Sequence, residues 1–331
     1  MNFNSVLFFQ LPFEEKIFTV DEKSGKTAVQ FVSFDQNSEL NFNGNIVEIS
    51  REYLQKNSIF SDQLPENQHK FNSENETQYL EKLEKVISFI KENDLPKLVI
   101  SRIKKEDYRE NNSSGKLNLT QTFLNLCDAY PNAFAYFFIK DGICWMGAFS
   151  ELLGKFDKEN SAFKTMALAG TLPVDEEWTT KEKEEQKPVA DFIISVLNRY
   201  GNDVIVSETY NHISGNIKHL RTDFITKINE SDLENVISEL HPTPAVCGVP
   251  TKYCQKAILD FEKHDRSFYS GYIRINLENS TRFFVNLRCA QFTKDSVLMY
   301  VGGGITAESS ATKEWRETEL KSQAISRNLA Y

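Results

Sequence analysis

The sequence predicts a mixed α/β (α+β) fold made of one large domain. Phe is frequent, with 25 residues among 331, and short runs of β-branched and aromatic residues, typical of strands, recur along most of the chain. Apolar residues at helical spacing occur between these runs. The sequence has neither an internal repeat of fixed period nor a low-complexity tract. The predicted strands cover 97–103, 133–139, 271–275, 282–288 and 296–301.

Two segments have clear helical periodicity. Apolar residues fall on one helical face over 79–90 and again over 189–197, so we predict a helix in each place. The stretches 57–77 and 105–118 are polar and rich in turn-forming residues, and we predict that both are loops.

Length and charge restrict the class of protein. A chain of 331 residues allows one large domain or two smaller ones. The first predicted loop separates an N-terminal segment, residues 1–75, from a main domain, residues 76–331, and we expect the segment to pack on that domain. With 38 Lys and Arg against 47 Asp and Glu, the net charge is −9. This acidic balance argues against nucleic-acid binding through phosphate neutralisation.

The hydropathy pattern predicts a cytoplasmic protein. No stretch of the sequence approaches the roughly 20 apolar residues that a membrane-spanning helix needs, and the first residues do not resemble a signal peptide. We therefore expect neither a membrane nor a nucleic acid as partner. The five cysteines are odd in number and lack Cys-x-x-Cys spacing, which argues against a disulfide framework or a zinc ribbon. We expect reduced thiols that pack in the core.

The segment from Tyr300 to Lys321 contains the strongest local pattern. It predicts a strand, the three glycines Gly302, Gly303 and Gly304, a turn rich in Ser and Thr, and then a helix. Glycines let backbone N–H groups approach an anion such as a carboxylate or phosphate. A tight exit from the strand explains the same glycines equally well. The segment matches neither a P-loop nor a dinucleotide-binding fingerprint.

Glutamates on two predicted helices suggest a cation site. Glu314, Glu317 and Lys321 share one face of the C-terminal helix, and that face continues into apolar positions. Glu182 and Glu185 precede the apolar face of the 189–197 helix in the same way. Mg²⁺ prefers oxygen ligands, so inward carboxylates from two helices could hold one such ion. For each glutamate taken alone, a solvated helix surface is the commoner arrangement.

Four further residues are candidates because of their positions. Lys97 opens an apolar strand, where partial desolvation favours the neutral amine of a base. Glu151 follows another strand, where burial would raise its pKa and keep it protonated as an acid. Either residue could instead be an ordinary strand-end charge that reaches water. Arg288 is a lone positive charge in an apolar strand, which indicates an anionic partner. His219 could act as a ligand or acid–base group, or could be a hydrogen-bonded loop residue.

Eight motifs, in order along the chain, resemble the chorismate-utilising enzymes and, within that family, the isochorismate synthases. The motifs cover about residues 80–328, and their order is more specific than any one of them. They are Lys97-Leu-Val-Ile-Ser-Arg102, Gly147-Ala-Phe-Ser-Glu151, Ala167-Leu-Ala-Gly-Thr171, His219-Leu-Arg-Thr222, Leu240-His-Pro-Thr-Pro-Ala-Val-Cys-Gly-Val-Pro250, Asp265-Arg-Ser-Phe-Tyr-Ser-Gly271, Val285-Asn-Leu-Arg-Cys-Ala290, and Gly302-Gly-Gly-Ile with Glu314-Trp-Arg-Glu-Thr318.

This resemblance implies a single α/β domain of two packed, antiparallel-rich β-sheets with surrounding helices. It also implies that residues 76–331 bind chorismate and require Mg²⁺. Lys97 resembles the general base that activates water for attack at ring C2. Glu151 resembles the general acid that protonates the departing C4 hydroxyl.

The same resemblance supplies the remaining site residues. Glu185 and Glu317 would be Mg²⁺ ligands, with Glu182 and Glu314 contributing through water, and the metal would hold the ring carboxylate. The groups implied to contact substrate are His219, Ala245, Tyr269, Arg288, Lys321 and the backbone of Gly302 and Gly304.

One segment distinguishes branches of the family. His241-Pro-Thr-Pro-Ala245 resembles the isochorismate-forming branch, since other branches usually carry Thr or Ser where Ala245 stands. We therefore expect Mg²⁺-dependent conversion of chorismate to isochorismate by a monomer or weak homodimer. The alternatives are a salicylate synthase, which adds elimination of pyruvate, a non-catalytic chorismate-binding scaffold, and an aminating subunit. The sequence departs from the family pattern at Phe149-Ser150, where Ser-Pro is more usual, at Gln186, where His is common, and in a shortened segment over 171–181.

Overall fold

The strands of the protein pair into two antiparallel β-sheets. The computed structural model describes residues 5–21, 25–65, 73–108, 116–214 and 217–331. Over these residues, one sheet contains nine strands, and a second sheet of nine strands packs against it. The predicted α/β class and the two-sheet arrangement implied by the family resemblance are both confirmed.

The first sheet contains the glycine-rich strand. Its strands, in spatial order, are β14 (Gly248–Val249), β6 (Lys97–Asp107), β18 (Ser296–Ile305), β17 (Cys289–Phe292), β8 (Ile143–Phe149), β7 (Phe134–Lys140), β1 (Ser5–Gln10), β2 (Ile17–Asp21) and β5 (Asn45–Ile49).

The second sheet ends in a divided edge, where β11 and β12 both pair with β13. Its strands, in spatial order, are β11 (Ile205–Val206), β13 (Ile217–Lys227), β10 (Ala162–Pro173), β9 (Leu152–Asp157), β16 (Ser280–Val285), β15 (Tyr272–Asn276), β3 (Thr27–Val32) and β4 (Glu39–Asn43), with β12 (Tyr210–Ser214) beside β13.

Helices cover the outer faces of the sheets. Those in the described ranges are α1 (Arg51–Lys56), α2 (Glu76–Glu92), α3 (Leu119–Ala129), α4 (Thr180–Leu197), α5 (Leu233–Leu240), α6 (Thr251–Phe261) and α7 (Ala311–Ser326), with 3₁₀ turns at Ser61–Gln63 and Glu230–Asp232. Both helices predicted from periodicity are present, as α2 and α4.

Two boundaries differ from the sequence prediction. Residues 105–107 continue β6 instead of entering a loop, because they pair with the start of β18. The three glycines lie inside β18 rather than after it, since Gly302, Gly303 and Gly304 pair with Ser101, Ile100 and Val99. Most of the remaining predicted loop 105–118 lies outside the described residues.

Aromatic side chains fill the space between the two sheets. The ring of Phe31, from β3, lies 4.6 Å from the ring of Phe138 and 5.0 Å from that of Tyr136, both on β7 in the other sheet. Phe268 contacts Phe31 as well, with 6.1 Å between the ring centroids. These edge-to-face contacts are the favoured aromatic geometry, so the high Phe content is explained by this interface.

Strands from the N-terminal part of the chain belong to both sheets. β1 pairs with β7 in the first sheet, and β3 pairs with β15 in the second. The division of the chain at residue 75 stays a prediction. All five cysteines are buried and free of disulfide bonds, as expected. Among the described residues, no helix is both long and apolar enough to span a membrane.

Buried charged side chains form hydrogen bonds with the backbone of β6 at its edge, past the two residues that pair with β14. The Glu262 carboxylate accepts hydrogen bonds from Ser101 N at 2.7 Å and from Arg266 Nη2 at 2.7 Å. Arg266 Nη2 also donates to Val99 O at 2.9 Å, and Lys82 Nζ donates to Ser101 O at 2.9 Å. Side chains thus satisfy the backbone groups that another strand would otherwise bind.

Glu262→Ala should lower the free energy of unfolding by about 3–5 kcal/mol, because it leaves the buried Arg266 without its carboxylate. The matched control is Glu239→Ala, which removes the exposed ion pair with Arg199 and should cost less than about 1 kcal/mol. Urea unfolding of both variants measures the difference. Equal losses would contradict a structural role for the buried pair.

Candidate functional site

A cavity opens between the two sheets, where β18 and β6 face β10 and β13. The structure brings most of the predicted site residues to its wall. The lining includes Glu151, Glu185, His219, Ala245, Tyr269, Arg288, Gly302, Gly304 and Lys321. Residues from eight separate parts of the sequence thus meet in one place.

The other predicted site residues lie directly beside this cavity. Glu182, Glu314 and Glu317 line a second cavity, between α4 and α7, and Thr171 belongs to the walls of both. Lys97 is 1 % exposed and lies behind Gly304 at the start of β6.

Gly303 and Gly304 leave room for the acidic side chains. A Cβ atom on Gly303 would be 3.2 Å from Glu314 Oε2 and 3.4 Å from Glu317 Oε1. A Cβ on Gly304 would be only 2.4 Å from Glu185 Oε1 and from Lys97 Cε. The α7 carboxylates therefore lie next to Gly303, and the Glu185 carboxylate of α4 lies next to Gly304, the adjacent position of β18. Carboxylate oxygens are the type of ligand that Mg²⁺ prefers.

The amino groups of two lysines lie against two of these carboxylates. Lys97 Nζ is 3.0 Å from Glu185 Oε1, and Lys321 Nζ is 2.7 Å from Glu317 Oε1. Lys321 Nζ also donates to Gly302 O at 2.9 Å. In this arrangement, the described His, Cys, Asp and Glu side chains form no group of three or more that could hold a metal ion. Lys97 and Lys321 thus each contact one carboxylate of this group.

The two outer glutamates make local hydrogen bonds. Glu182 Oε2 accepts a hydrogen bond from Thr179 N at 3.0 Å, as in a capping box at the start of α4. Glu314 Oε1 accepts one from Ser309 Oγ at 2.8 Å. Both side chains are buried, so the helix surfaces that carry them face the protein interior.

Glu151 is a buried acid at the cavity wall, in the turn between β8 and β9. It is 5 % exposed. Burial raises its pKa to about 7, although the charges of Lys97, Lys321 and Arg288 favour the ionised form. Glu151 can therefore be protonated near neutral pH, and the expectation that its pKa is raised is confirmed.

Arg288 and His219 form a hydrogen-bonded pair in the cavity wall. Arg288 Nη2 donates to His219 Nε2 at 2.7 Å, and His219 Nδ1 is 2.9 Å from Gly170 O. Because guanidinium only donates, His219 Nε2 accepts and its proton resides on Nδ1. Burial, together with the charge of Arg288, holds the pKa of His219 well below its usual range. The histidine is thus neutral and orients the arginine.

Two positional predictions were wrong in detail. Arg288 lies between β16 and β17, with a φ of 43°, and not within a continuous strand, so the turn directs its side chain into the cavity. His219 lies in β13 and not in a loop, because β10 and β12 pair with it on either side.

One polar residue of the lining was missed by the sequence analysis as a candidate. Ser150 lines the cavity, and its Oγ is 2.8 Å from His212 Nε2. His212 belongs to β12, which is 62 residues further along the chain. Ser150 belongs to the motif that ends at Glu151, where it departs from the family pattern. His212 belongs to no motif, and only the pairing of β12 with β13 brings it to this position.

A comparison with protein-family profiles identifies the class of protein. The profile described as "Chorismate binding enzyme" matches residues 13–330. The chain belongs to this family, as the ordered motifs predicted.

Among curated proteins, the chain is similar to isochorismate synthases. It is 30 % identical to isochorismate synthase EntC of Escherichia coli (strain K12) over 200 residues, or 55 % of this chain and 50 % of the relative. It is 25 % identical to isochorismate synthase MenF of the same strain over 265 residues, or 75 % and 58 % of the two chains. The chain thus spans about half the length of these relatives.

Solved structures show the same fold. A putative 2,3-dihydroxybenzoate-specific isochorismate synthase, DhbC from Bacillus anthracis, superposes with a TM-score of 0.79 at 22 % identity, over 99 % of this chain and 97 % of the other. Anthranilate synthase component I from Streptococcus pneumoniae superposes with a TM-score of 0.68 at 15 % identity, over 98 % and 92 %.

Glu151→Gln should change how stability depends on pH. A raised pKa means that the folded protein binds a proton more tightly than the unfolded chain, so the wild type loses stability as the pH rises from about 4.5 to about 7. Glu151→Gln has no titrating carboxyl at this position, so its stability should not fall for this reason. Urea unfolding at pH 5 and pH 8 should show the wild type falling relative to the variant by up to about 3 kcal/mol.

The exposed Glu184 provides the control for this experiment. Glu184→Gln should follow the wild type at both pH values. A constant difference between wild type and Glu151→Gln would contradict the buried, protonated state of Glu151.

Proposed function

We propose that this chain is an isochorismate synthase, an isomerase that converts chorismate to isochorismate. The observation that carries the proposal is a cavity lined by Arg288 and by Glu151, whose pKa is raised to about 7, with Lys97 in contact with the lining residue Glu185. A base, an acid and an anion-binding group are the elements that this reaction needs. The family membership, the similarity to named isochorismate synthases and Ala245 in the cavity wall support the choice of this reaction.

The substrate carries two carboxylates, so binding requires local positive charge in an acidic protein. Arg288 is held by His219 with its guanidinium at the cavity wall, and Lys321 also lines the cavity, where β18 meets α7. We assign the carboxylates of chorismate to Arg288, Lys321 and the backbone of Gly302 and Gly304. Tyr269, buried beneath the cavity, would pack against the bound ring.

The reaction needs one proton to be taken from the water that attacks C2 and one to be given to the hydroxyl that leaves C4. Lys97 would take a proton from water as the water oxygen bonds to ring C2. The ring double bond shifts, and the bond from C4 to its hydroxyl breaks. Glu151 would give its proton to that hydroxyl, which leaves as water. One water enters and one leaves, so the product is an isomer of the substrate.

We propose Mg²⁺ as the cofactor, with Glu185 and Glu317 as ligands and Glu182 and Glu314 acting through water. The support for this assignment is the oxygen-donor chemistry of Glu185, Glu314 and Glu317, which lie beside the adjacent residues Gly303 and Gly304. A bound Mg²⁺ ion would supply positive charge for a substrate carboxylate. We also propose that the protein is cytoplasmic and works as a monomer or weak homodimer.

Incubation of the purified protein with chorismate tests the proposal. Isochorismate should accumulate with Mg²⁺ and should fail to form when a chelator is present, as resolved by chromatography. Salicylate with pyruvate would instead indicate a salicylate synthase. Unchanged chorismate, despite measurable binding, would indicate a non-catalytic scaffold.

Lys97→Ala and Glu151→Gln should each reduce kcat by at least about 100-fold, because each removes one proton-transfer group. Both variants should remain folded by circular dichroism. Lys105→Ala is the matched control for the lysine, since Lys105 lies on the same strand, is partly exposed and pairs with Asp107. Turnover like that of the wild type in either active-site variant would remove that residue from the acid–base pair.

Glu317→Gln should raise the Mg²⁺ concentration needed for half-maximal activity by at least about 10-fold, since a neutral amide is a weaker ligand than a carboxylate. Titration of activity with Mg²⁺ measures the change, with Glu184→Gln as the control. Superimposable titrations for Glu317→Gln and the wild type would exclude Glu317 from the ligand set.

A further inference from the structure

Two histidines stand side by side on one face of the second sheet. His212 on β12 is the cross-strand partner of His219 on β13, and residues directly opposite in an antiparallel pair project from the same face. Each imidazole contacts a residue that lines the cavity. His219 holds Arg288, and His212 holds Ser150. In both places, a histidine thus forms a hydrogen bond with a polar side chain of the cavity wall.

Ser150 occupies the wall immediately before Glu151. Its position, in the turn that joins β8 of one sheet to β9 of the other, places its side chain at the cavity. A hydroxyl has one donor and two acceptor sites, and the contact with His212 Nε2 uses one of them. Hydrogen-bonding capacity therefore remains for a ligand. The proline that is more usual in the family at this position would offer no polar side-chain atom.

The histidine behind Ser150 is neutral. Burial, together with the charges of Arg221 and Arg288, lowers the pKa of His212 to about 4. A neutral imidazole can orient the hydroxyl by either accepting or donating a hydrogen bond. It adds no further positive charge beside Arg288.

We propose that Ser150 forms a hydrogen bond with an oxygen atom of bound chorismate, and that His212 is a positioning residue that fixes the rotamer of the Ser150 hydroxyl. This inference rests on the proposed function, since it names the same substrate. A proline at position 150 has no side-chain donor or acceptor and could not make this contact. The contact acts on binding, because Ser150 takes no part in proton transfer.

Equilibrium binding of chorismate, measured by calorimetry in the Glu151→Gln background to prevent turnover, tests the proposal. Adding Ser150→Ala should weaken binding by about 5- to 10-fold, the usual net value of one hydrogen bond. In the otherwise wild-type enzyme, Ser150→Ala should raise KM by a similar factor and change kcat by less than about 3-fold.

The role of His212 is tested through its coupling to Ser150. His212→Phe should weaken binding as much as Ser150→Ala does, and the double variant should be no weaker than either single variant, because all three lack the same contact. His212→Gln, whose amide can reach the hydroxyl, should restore part of the affinity. Independent, additive losses would overturn the claim that His212 acts through Ser150.

Controls separate these effects from a general loss of structure. Ser195→Ala, in an exposed part of α4, and Tyr210→Phe, on the same strand as His212, should leave KM and binding unchanged. Thermal unfolding verifies that every variant is folded. Unchanged binding in folded Ser150→Ala would overturn this inference alone, whereas absence of turnover by the wild type would overturn the proposed function.

Discussion

The pairing of β6 with β18 is the contact on which the rest of the site depends. It places the start of β6, where Lys97 lies, against the glycine-rich end of β18. Glycines weaken a strand because they provide no side chain to pack, yet any larger residue at Gly304 would collide with Lys97 and Glu185. The sheet thus lacks side-chain packing at this point, and charged groups from two helices can approach its backbone.

The site shows how local charge can differ from net charge. The protein carries an excess of acidic residues, but Lys321 and Arg288 line the cavity, while burial raises the pKa of Glu151 to about 7 and lowers the pKa of His219. Each neutral group avoids an unfavourable charge, because an ionised Glu151 would repel an anion and a charged His219 would repel Arg288. Desolvation therefore sets the electrostatics of the cavity as much as the choice of residues does.

Local patterns predicted the class of fold, the helices α2 and α4 and most of the strands, because amphipathic periodicity is visible in a single segment. Several site residues were accessible through ordered motifs. Pairing between distant strands could not be predicted from such patterns. β18 extends through its glycines because β6 pairs with them, and His219 lies in a strand because β10 and β12 pair with β13. Ser150 and His212 could not be connected from the sequence, since their contact depends on the register of two strands far from Ser150.

The order of strands in the two sheets has a consequence for synthesis of the protein. β6 and its partner β18 are separated by about 200 residues. β3 likewise pairs with β15, which lies in the last part of the chain. A ribosome therefore releases several Phe-rich strands before their partners exist. Non-local pairing of this kind slows folding and prolongs the exposure of apolar strands. The pairing of β6 with β18, and with it one wall of the cavity, can be completed only when almost all of the chain has been made.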